Sequence, residues 1–437
     1  MAESGHDEQV RSSALLCSHP TVLTPQEGFP LALRPSYLTL LLKILDYTQR
    51  CNKIGDVLMK NGSLQNPTQK QLIILDKILK SLNINYMERL DHLRFFAAVL
   101  LMLHHFRGDI NWDGTYSVNA FFRLWLENGS SGVSFFLVLT GFLFCLISNC
   151  GENKIRYSGY IYNRILRIFP LLVFLVFILI CCSRQQSTPM DIFRVLTLQL
   201  NTGNSYTGWG HEFYPSGPIW TIAVEFQFYL IFPFLALFLN KYGPKYLAGL
   251  VVLMIATRFN IAVLKGGDIY YNMYHTMIGR LDQFALGMLA AYAYRNGSLS
   301  FLSRWIYQIP FLLFSLTSLT CLFLFKKTTT GFSAFSFPIE ALCWSVVVVC
   351  YLTAKLPECK RISESLSKLG MISFSMYLLH LPVGRMINEL TGWDNPTTVS
   401  LSIAESAVRV PLIIIASFFT FYMIEKPFMG LRVKYTK

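Results

Sequence analysis

The sequence predicts an all-α polytopic membrane protein of about ten transmembrane helices, with a small helical N-terminal cytoplasmic extension. Three observations predict it. Of 437 residues, 53% are hydrophobic and 15% aromatic. Only 14% are charged, about half of the roughly 25% a soluble domain carries. After Leu93, apolar segments recur at steady intervals, each close to the roughly 20 residues a helix needs to cross a bilayer. The same composition excludes a disordered or collagen-like chain. The 10 cysteines are too scattered for a small disulfide scaffold.

Residues 1–86 form the extension. Its first 30 residues are polar, with no basic stretch leading into an apolar one, and do not read as a signal peptide. From Pro35 to Met59 and from Pro67 to Leu82 the apolar residues recur at helical spacing, as in Leu72, Leu75, Ile78, Leu79 and Leu82, with Asn61-Gly62-Ser63 as a breaker. Two amphipathic helices are expected, packed on the membrane domain or lying at its interface. A partner there is unknown.

Residues 87–437 form the ten-span domain. The expected spans are 93–110, 131–149, 168–183, 219–239, 246–264, 277–294, 305–325, 337–356, 370–390 and 403–424. The net charge of +13 falls mostly here, since residues 1–86 contribute only +2. With the N-terminus inside, the inner flanks carry 20 Lys and Arg against seven in the outer loops. That places both termini in the cytoplasm. No zinc finger, RNP-type motif or basic heptad helix is present, so the charge is topology and no nucleic acid is expected.

Ionisable residues within spans are functional candidates by default. In the first span Arg94 and His105 are eleven residues apart, about three turns and 20°, so they share a helix face about 16 Å apart along the axis. His104 is turned about 100° away. A buried histidine satisfied by a neighbouring helix is the plain alternative.

The run from Arg89 to His105 resembles the opening helix of the membrane-bound acyltransferase 3 family, R-L-D-G-L-R followed by apolar residues and H, with His92 in place of the glycine. Gly132 to Phe142 resembles that family's GVDLFFVLSGF helix, with Ser134 in place of its acidic residue. Arg164-Ile-Leu-Arg167-Ile-Phe-Pro170 resembles R-x-x-R-I-x-P, and Trp220 to Tyr229 resembles WSLSVEEQFY with Phe226 in place of the second glutamate. Arg280 to Gly287, Ser373 to Pro382 and Glu425-Lys-Pro427 follow in order.

The resemblance implies transfer of an acyl group, usually acetyl from cytoplasmic acetyl-CoA, to a hydroxyl of a carbohydrate or lipid-linked glycan such as lipopolysaccharide O-antigen. It implies residence in the bacterial inner membrane. A sugar hydroxyl is a poor nucleophile, so a neutral imidazole at its proton accelerates attack. His105 is the expected base, and Glu225 is expected to hold its other nitrogen. Arg164 and Arg167, three apart on one face beside Lys154 and Arg156, suit the phosphates of acyl-CoA, with Arg94 completing the site or orienting the thioester. The same cluster also serves as a positive-inside anchor. Asp91, Trp220, Gln227, Tyr229, Arg280 and His380 are expected cavity or acceptor contacts. Arg280 and Asp282 pair with each other or a neighbour, and Glu425 with Lys426 reads as a structural ion pair.

Cysteines within spans read as small apolar residues. No HExxH, CxxC or Walker-type loop is present, so no metal and no permanently bound cofactor is expected; acyl-CoA is a co-substrate. The loop from Arg184 to Pro218, rich in Asn, Gly, Tyr and Trp, suits a cover for an acceptor sugar, and the sequon at Asn128 falls outside. Only about a dozen residues follow the last span, so the membrane domain is expected to complete the transfer itself or pass the acyl group to a separate protein. Two rivals stand: a transporter or flippase using the same buried charges as a pathway, and a scaffold that has lost catalysis through the departures at His92, Ser134 and Phe226.

Overall fold

The computed structural model describes residues 87–110, 118–183, 188–199, 216–265, 273–325, 330–355, 359–393 and 395–436. The expected N-terminal helices and most of the Asn- and Gly-rich loop after Arg184 lie outside the described residues.

The described residues are helical, without a strand. In chain order the helices are α1 (Glu88–His105), α2 (Val118–Glu127), α3 (Ser131–Ile147), α4 (Tyr157–Ser183), α5 (Pro189–Leu196), α6 (Ser216–Tyr242), α7 (Pro244–Lys265), α8 (Met277–Arg295), α9 (Trp305–Phe325), α10 (Thr330–Thr353), α11 (Lys360–Met371), α12 (Ser373–Thr391) and α13 (Val399–Thr420). A π turn, Phe421–Glu425, and a one-turn helix α14, Lys426–Met429, end the run. Every expected span has its helix, but several begin earlier than expected: α4 starts at Tyr157 rather than 168 and α1 at Glu88 rather than 93. Hydropathy marks where a helix becomes apolar, not where its backbone hydrogen bonds begin.

Among the described residues, six helices qualify by length and composition as membrane-crossing, in the segments Tyr157–Ile178, Ile219–Tyr242, Pro244–Ala262, Trp305–Phe325, Ala334–Thr353 and Val399–Met429. The pair α2 and α3, bent by 59° at its break, makes a seventh if counted as one span. Helices α1, α8 and α12 fall short because they carry the polar groups. Four of those groups turn inward, Asp91, Arg280, Asp282 and His380, all buried. Apolar side chains turn outward, as with Trp305 and Phe314 at 73% exposure, the reverse of a soluble surface and the arrangement a bilayer covers. The chain is a multi-pass membrane protein.

Helix α3 is the axis of the bundle, with 14 of its 17 residues buried. It crosses α8 at Gly141 and Gly287, where a Cβ on either would overlap a backbone carbonyl of the other helix, at Phe284 and Val138. Small residues let helix backbones meet where no hydrophobic effect drives them together. Stacked rings flank this contact, Phe228 on Phe284 at 4.0 Å and Phe135 on Trp344 at 4.2 Å. Helix α1 packs on α3 and α11; Gly370 of α11 lies against the Asp91 backbone.

Candidate active site

Helices α1, α3, α4, α6 and α12 enclose a cavity of about 260 Å³. It gathers residues that the sequence places far apart: Asp91 and Arg94 from α1, Thr140 from α3, Arg164 and Arg167 from α4, Glu225 and Tyr229 from α6, and Tyr377 from α12. The i,i+3 spacing of Arg164 and Arg167 turns both toward it. Arg94 donates to the Asp91 carboxylate at 2.8 Å. Arg167 donates at 2.8 Å to Glu425, whose other oxygen accepts from Ser375. Glu425 is thus the counter-ion of Arg167, not of Lys426, whose ammonium lies 4.5 Å from the Tyr422 ring. The π turn that ends α13 delivers that carboxylate, a use such turns often have at functional sites. Arg164 lies over the faces of Phe144, Tyr160 and Tyr229 at 4.9, 5.5 and 5.7 Å.

A further arginine lines the cavity, Arg432. In the sequence it is only one of the 20 Lys and Arg on the inner flanks. The tail folds back onto the start of α4: Asn163 clamps the Val433 backbone through both its amide atoms (2.7 and 2.9 Å), the Arg156 backbone N–H donates to the Tyr435 carbonyl (2.7 Å), and Ile155 bridges Thr436. Arg156 itself donates to the Lys434 carbonyl at 3.0 Å and is not among the cavity residues. Burial, together with the neighbouring Arg164 and Arg167 guanidinium groups, pulls Arg432 down to about 9. It remains a cation at neutral pH, confined beside two others.

The expected base is elsewhere. His105 is exposed at the end of α1 remote from Arg94 and is not among the cavity residues. Glu225 does not hold it; that carboxylate accepts from the Tyr229 hydroxyl and from Thr140 at 3.3 Å. His380 takes the place expected of Glu225, with its Nε2 3.0 Å from Nδ1 of His105. The other nitrogen of His380 lies 2.6 Å from the Tyr377 carbonyl. A carbonyl only accepts, so Nδ1 of His380 carries the proton, its Nε2 accepts, and the His105 Nδ1–H donates. For two neutral rings that order leaves Nε2 of His105 with a bare lone pair. Tyr377 joins the two parts, since its ring lines the cavity, its hydroxyl bonds Thr221, and its carbonyl fixes the histidine pair. His104 faces away and meets the Leu126 carbonyl at 2.9 Å, tying α1 to α2.

A family model described as an acyltransferase domain, the acyltransferase 3 model, matches residues 87–425. This chain belongs to the acyltransferase 3 family. No curated protein and no solved structure matches it.

The acyltransferase fold accounts for the departures seen in the sequence. Ser134 donates to Glu340 of α10 at 3.0 Å and accepts from Arg280 (3.3 Å) and Gln283 (3.0 Å). A carboxylate therefore stands one hydrogen bond beyond the position where the family motif has one. Phe226 packs its ring on Phe169 at 5.9 Å. His92 is buried between the Tyr351 hydroxyl (2.9 Å) and the Ser363 carbonyl (2.8 Å), joining α1 to α10 and α11.

The remaining expected contacts form a third group in the acyltransferase. Arg280 does not pair with Asp282, which forms a fully buried ion pair with Arg258 of α7. Arg280 instead donates to the Tyr274 carbonyl at 2.9 Å and lies over the rings of Tyr274, Phe337 and Trp220 at 3.8, 4.6 and 5.6 Å. His275, 4.6 Å from Trp220, is pushed down to about 4 by burial and by the Arg280 guanidinium, so it is neutral at physiological pH. Neither Trp220 nor Arg280 lines the cavity, and neither does half-buried Gln227. The neighbour of Trp220, Thr221, does line it.

Proposed function

We propose that this acyltransferase moves an acyl group, most readily acetyl, from cytoplasmic acyl-CoA to a hydroxyl of a carbohydrate or lipid-linked glycan, lipopolysaccharide O-antigen being one such acceptor. Both termini then lie in the cytoplasm and the membrane is the bacterial inner membrane. The observation that carries this reading is the pairing of an arginine-lined cavity with a tautomer-fixed histidine at the other end of α1. The cavity suits a polyanionic carrier and the histidine suits a hydroxyl proton.

In this reading the cavity arginines hold the phosphates of CoA, and its pantetheine arm extends past Tyr377 toward His105, about three helical turns from Arg94. Nε2 of His105 takes the acceptor hydroxyl proton as that oxygen attacks the thioester carbonyl. His380 accepts from the Nδ1–H of the resulting imidazolium and steadies it. The tetrahedral intermediate collapses with cleavage of the C–S bond, and the proton on His105 passes to the departing CoA thiolate. The transferred group crosses the membrane during the reaction. The glycan meets His105 from the side remote from the cavity.

Incubation of purified protein with radiolabelled acetyl-CoA and a glycan extract tests the reading. Label should pass to glycan with wild type and not with His105→Ala. If wild type transfers no label to any glycan extract, and behaves like His105→Ala, the acetyl-transfer reading fails and the transporter and scaffold readings remain. NMR of surface polysaccharide from cells with and without the gene would then show which hydroxyl is acylated.

A further inference from the structure

Four guanidinium groups line the cavity, and they are not equivalent. Arg94 is neutralised by Asp91 and Arg167 by Glu425. Among the described residues, neither Arg164 nor Arg432 forms an ion pair, and the Nε–H of each is buried without a hydrogen-bond partner. The ring faces around Arg164 stabilise its charge but supply no acceptor oxygen. Glu225, also on the cavity wall, is engaged by Tyr229 and Thr140. Counting Asp91, Glu225 and Glu425, the cavity keeps a net charge of about +1, and Arg164 and Arg432 are rigid, planar donors that no carboxylate among the described residues contacts.

We propose that Arg164 and Arg432 together seat a phosphate or diphosphate group of the acyl donor, and that the C-terminal tail supplies half of this seat. The proposal rests on the acyl-CoA reading above and deepens it. A phosphate supplies the acceptor oxygens that these two guanidinium groups lack, and forked N–H donors suit phosphate oxygens better than a single carboxylate does. A phosphate monoester carries about −1.5 to −2 at neutral pH. Arg432 is lowered first by burial and then by Arg164 and Arg167 beside it; an arriving phosphate offsets that repulsion and supplies acceptors to the buried Nε–H groups. The tail contributes through its stitching to α4, since Asn163 holds Val433 and so fixes the residue before it. In this view Arg94 and Arg167 shape the pocket with their own counter-ions already in place.

Titration calorimetry on the full-length protein in nanodiscs, with CoA, dephospho-CoA and pantetheine, tests the proposal. Wild type should bind CoA well and pantetheine weakly. Arg432→Gln should weaken CoA binding about tenfold, the size expected for losing charged hydrogen bonds, with pantetheine unchanged; Arg432→Lys should recover part of the loss. A loss confined to CoA over dephospho-CoA assigns the 3′-phosphate, and one that persists with dephospho-CoA assigns the diphosphate. Either supports the seat. Should Arg432→Gln fail to fold, Arg164→Gln reads the same loss. If wild type binds CoA and both Gln variants bind it equally well, the seat is wrong and the acyl-CoA reading survives. If wild type binds pantetheine as tightly as CoA, the seat is wrong as well. If wild type binds no CoA at all, the reading falls and the seat with it.

Discussion

His105 and His380, 275 residues apart in the chain, meet with Nδ1 and Nε2 at 3.0 Å. Because the Nδ1–H of His380 donates to the Tyr377 carbonyl, the pair has a direction, and Nε2 of His105 is the nitrogen left to accept. His105→Ala should therefore lower acyl transfer by about 10²–10⁴. His380→Ala should cost less, about 10–100-fold, since the base stays while its tautomer and orientation are released. Initial rates of labelled acetyl transfer decide this; equal losses in the two variants would mean that His380 does more than orient.

Glu425 is fully buried beside Arg167. Glu425→Ala leaves a largely buried guanidinium without its counter-ion and should destabilise the protein by about 3 kcal/mol. The double variant with Arg167→Met should regain part of the lost thermal midpoint. No regain would show that Ser375, the other partner of Glu425, carries the effect.

Ser134 receives two donors and gives one proton to Glu340. Ser134→Ala should cost about 1–3 kcal/mol by leaving Arg280 and Gln283 short of an acceptor. Ser134→Asp should also destabilise, by setting two carboxylates side by side, whereas Ser134→Asp with Glu340→Ser should recover stability. A double-mutant cycle on thermal midpoints in detergent measures the coupling.

At the α3–α8 crossing, Gly141→Leu or Gly287→Leu should force the helices apart and lower yield and thermal midpoint. Gly141→Ala should act the same way to a smaller extent, because even a Cβ meets the Phe284 carbonyl. An unchanged midpoint in Gly141→Leu would show that the crossing yields more than close-packed backbones should.

His275 stays neutral in the folded protein down to about pH 4, whereas an unfolded histidine titrates near 6.5. The unfolded state therefore binds more protons below about pH 6.5, and stability is lost as pH falls from there toward 4. His275 is only partly buried, which reduces the effect to about 1 kcal/mol between pH 7 and 5. His275→Gln should flatten the acid limb of a thermal-midpoint profile.

Much of the architecture was legible because hydropathy is a local property. Each apolar run became a helix, including the run from Leu93 with its charged start. Helix beginnings were less legible: the first turns of α4, with Arg164 and Arg167, are as helical as the rest but polar, and hydropathy is blind to them. The crossing glycines, Gly141 and Gly287, stood in recognisable motifs, yet nothing local said that they meet. Arg432 was the residue missed. Its only local signal was a positive charge near the chain end, which membrane topology already explained.

The sequence by itself determined that the chain is a helical membrane protein of the acyltransferase 3 family and singled out Arg94, Arg164, Arg167 and Glu225, which line one cavity, because composition, helical period and motif order are all read along one chain. Tertiary structure alone decided the partners. It gave His105 to His380 rather than Glu225, Asp282 to Arg258 rather than Arg280, and Glu425 to Arg167 rather than Lys426. A buried charge or imidazole takes the nearest complementary group in space, and helix packing, which brings residues hundreds of positions apart within 3 Å, sets which group that is.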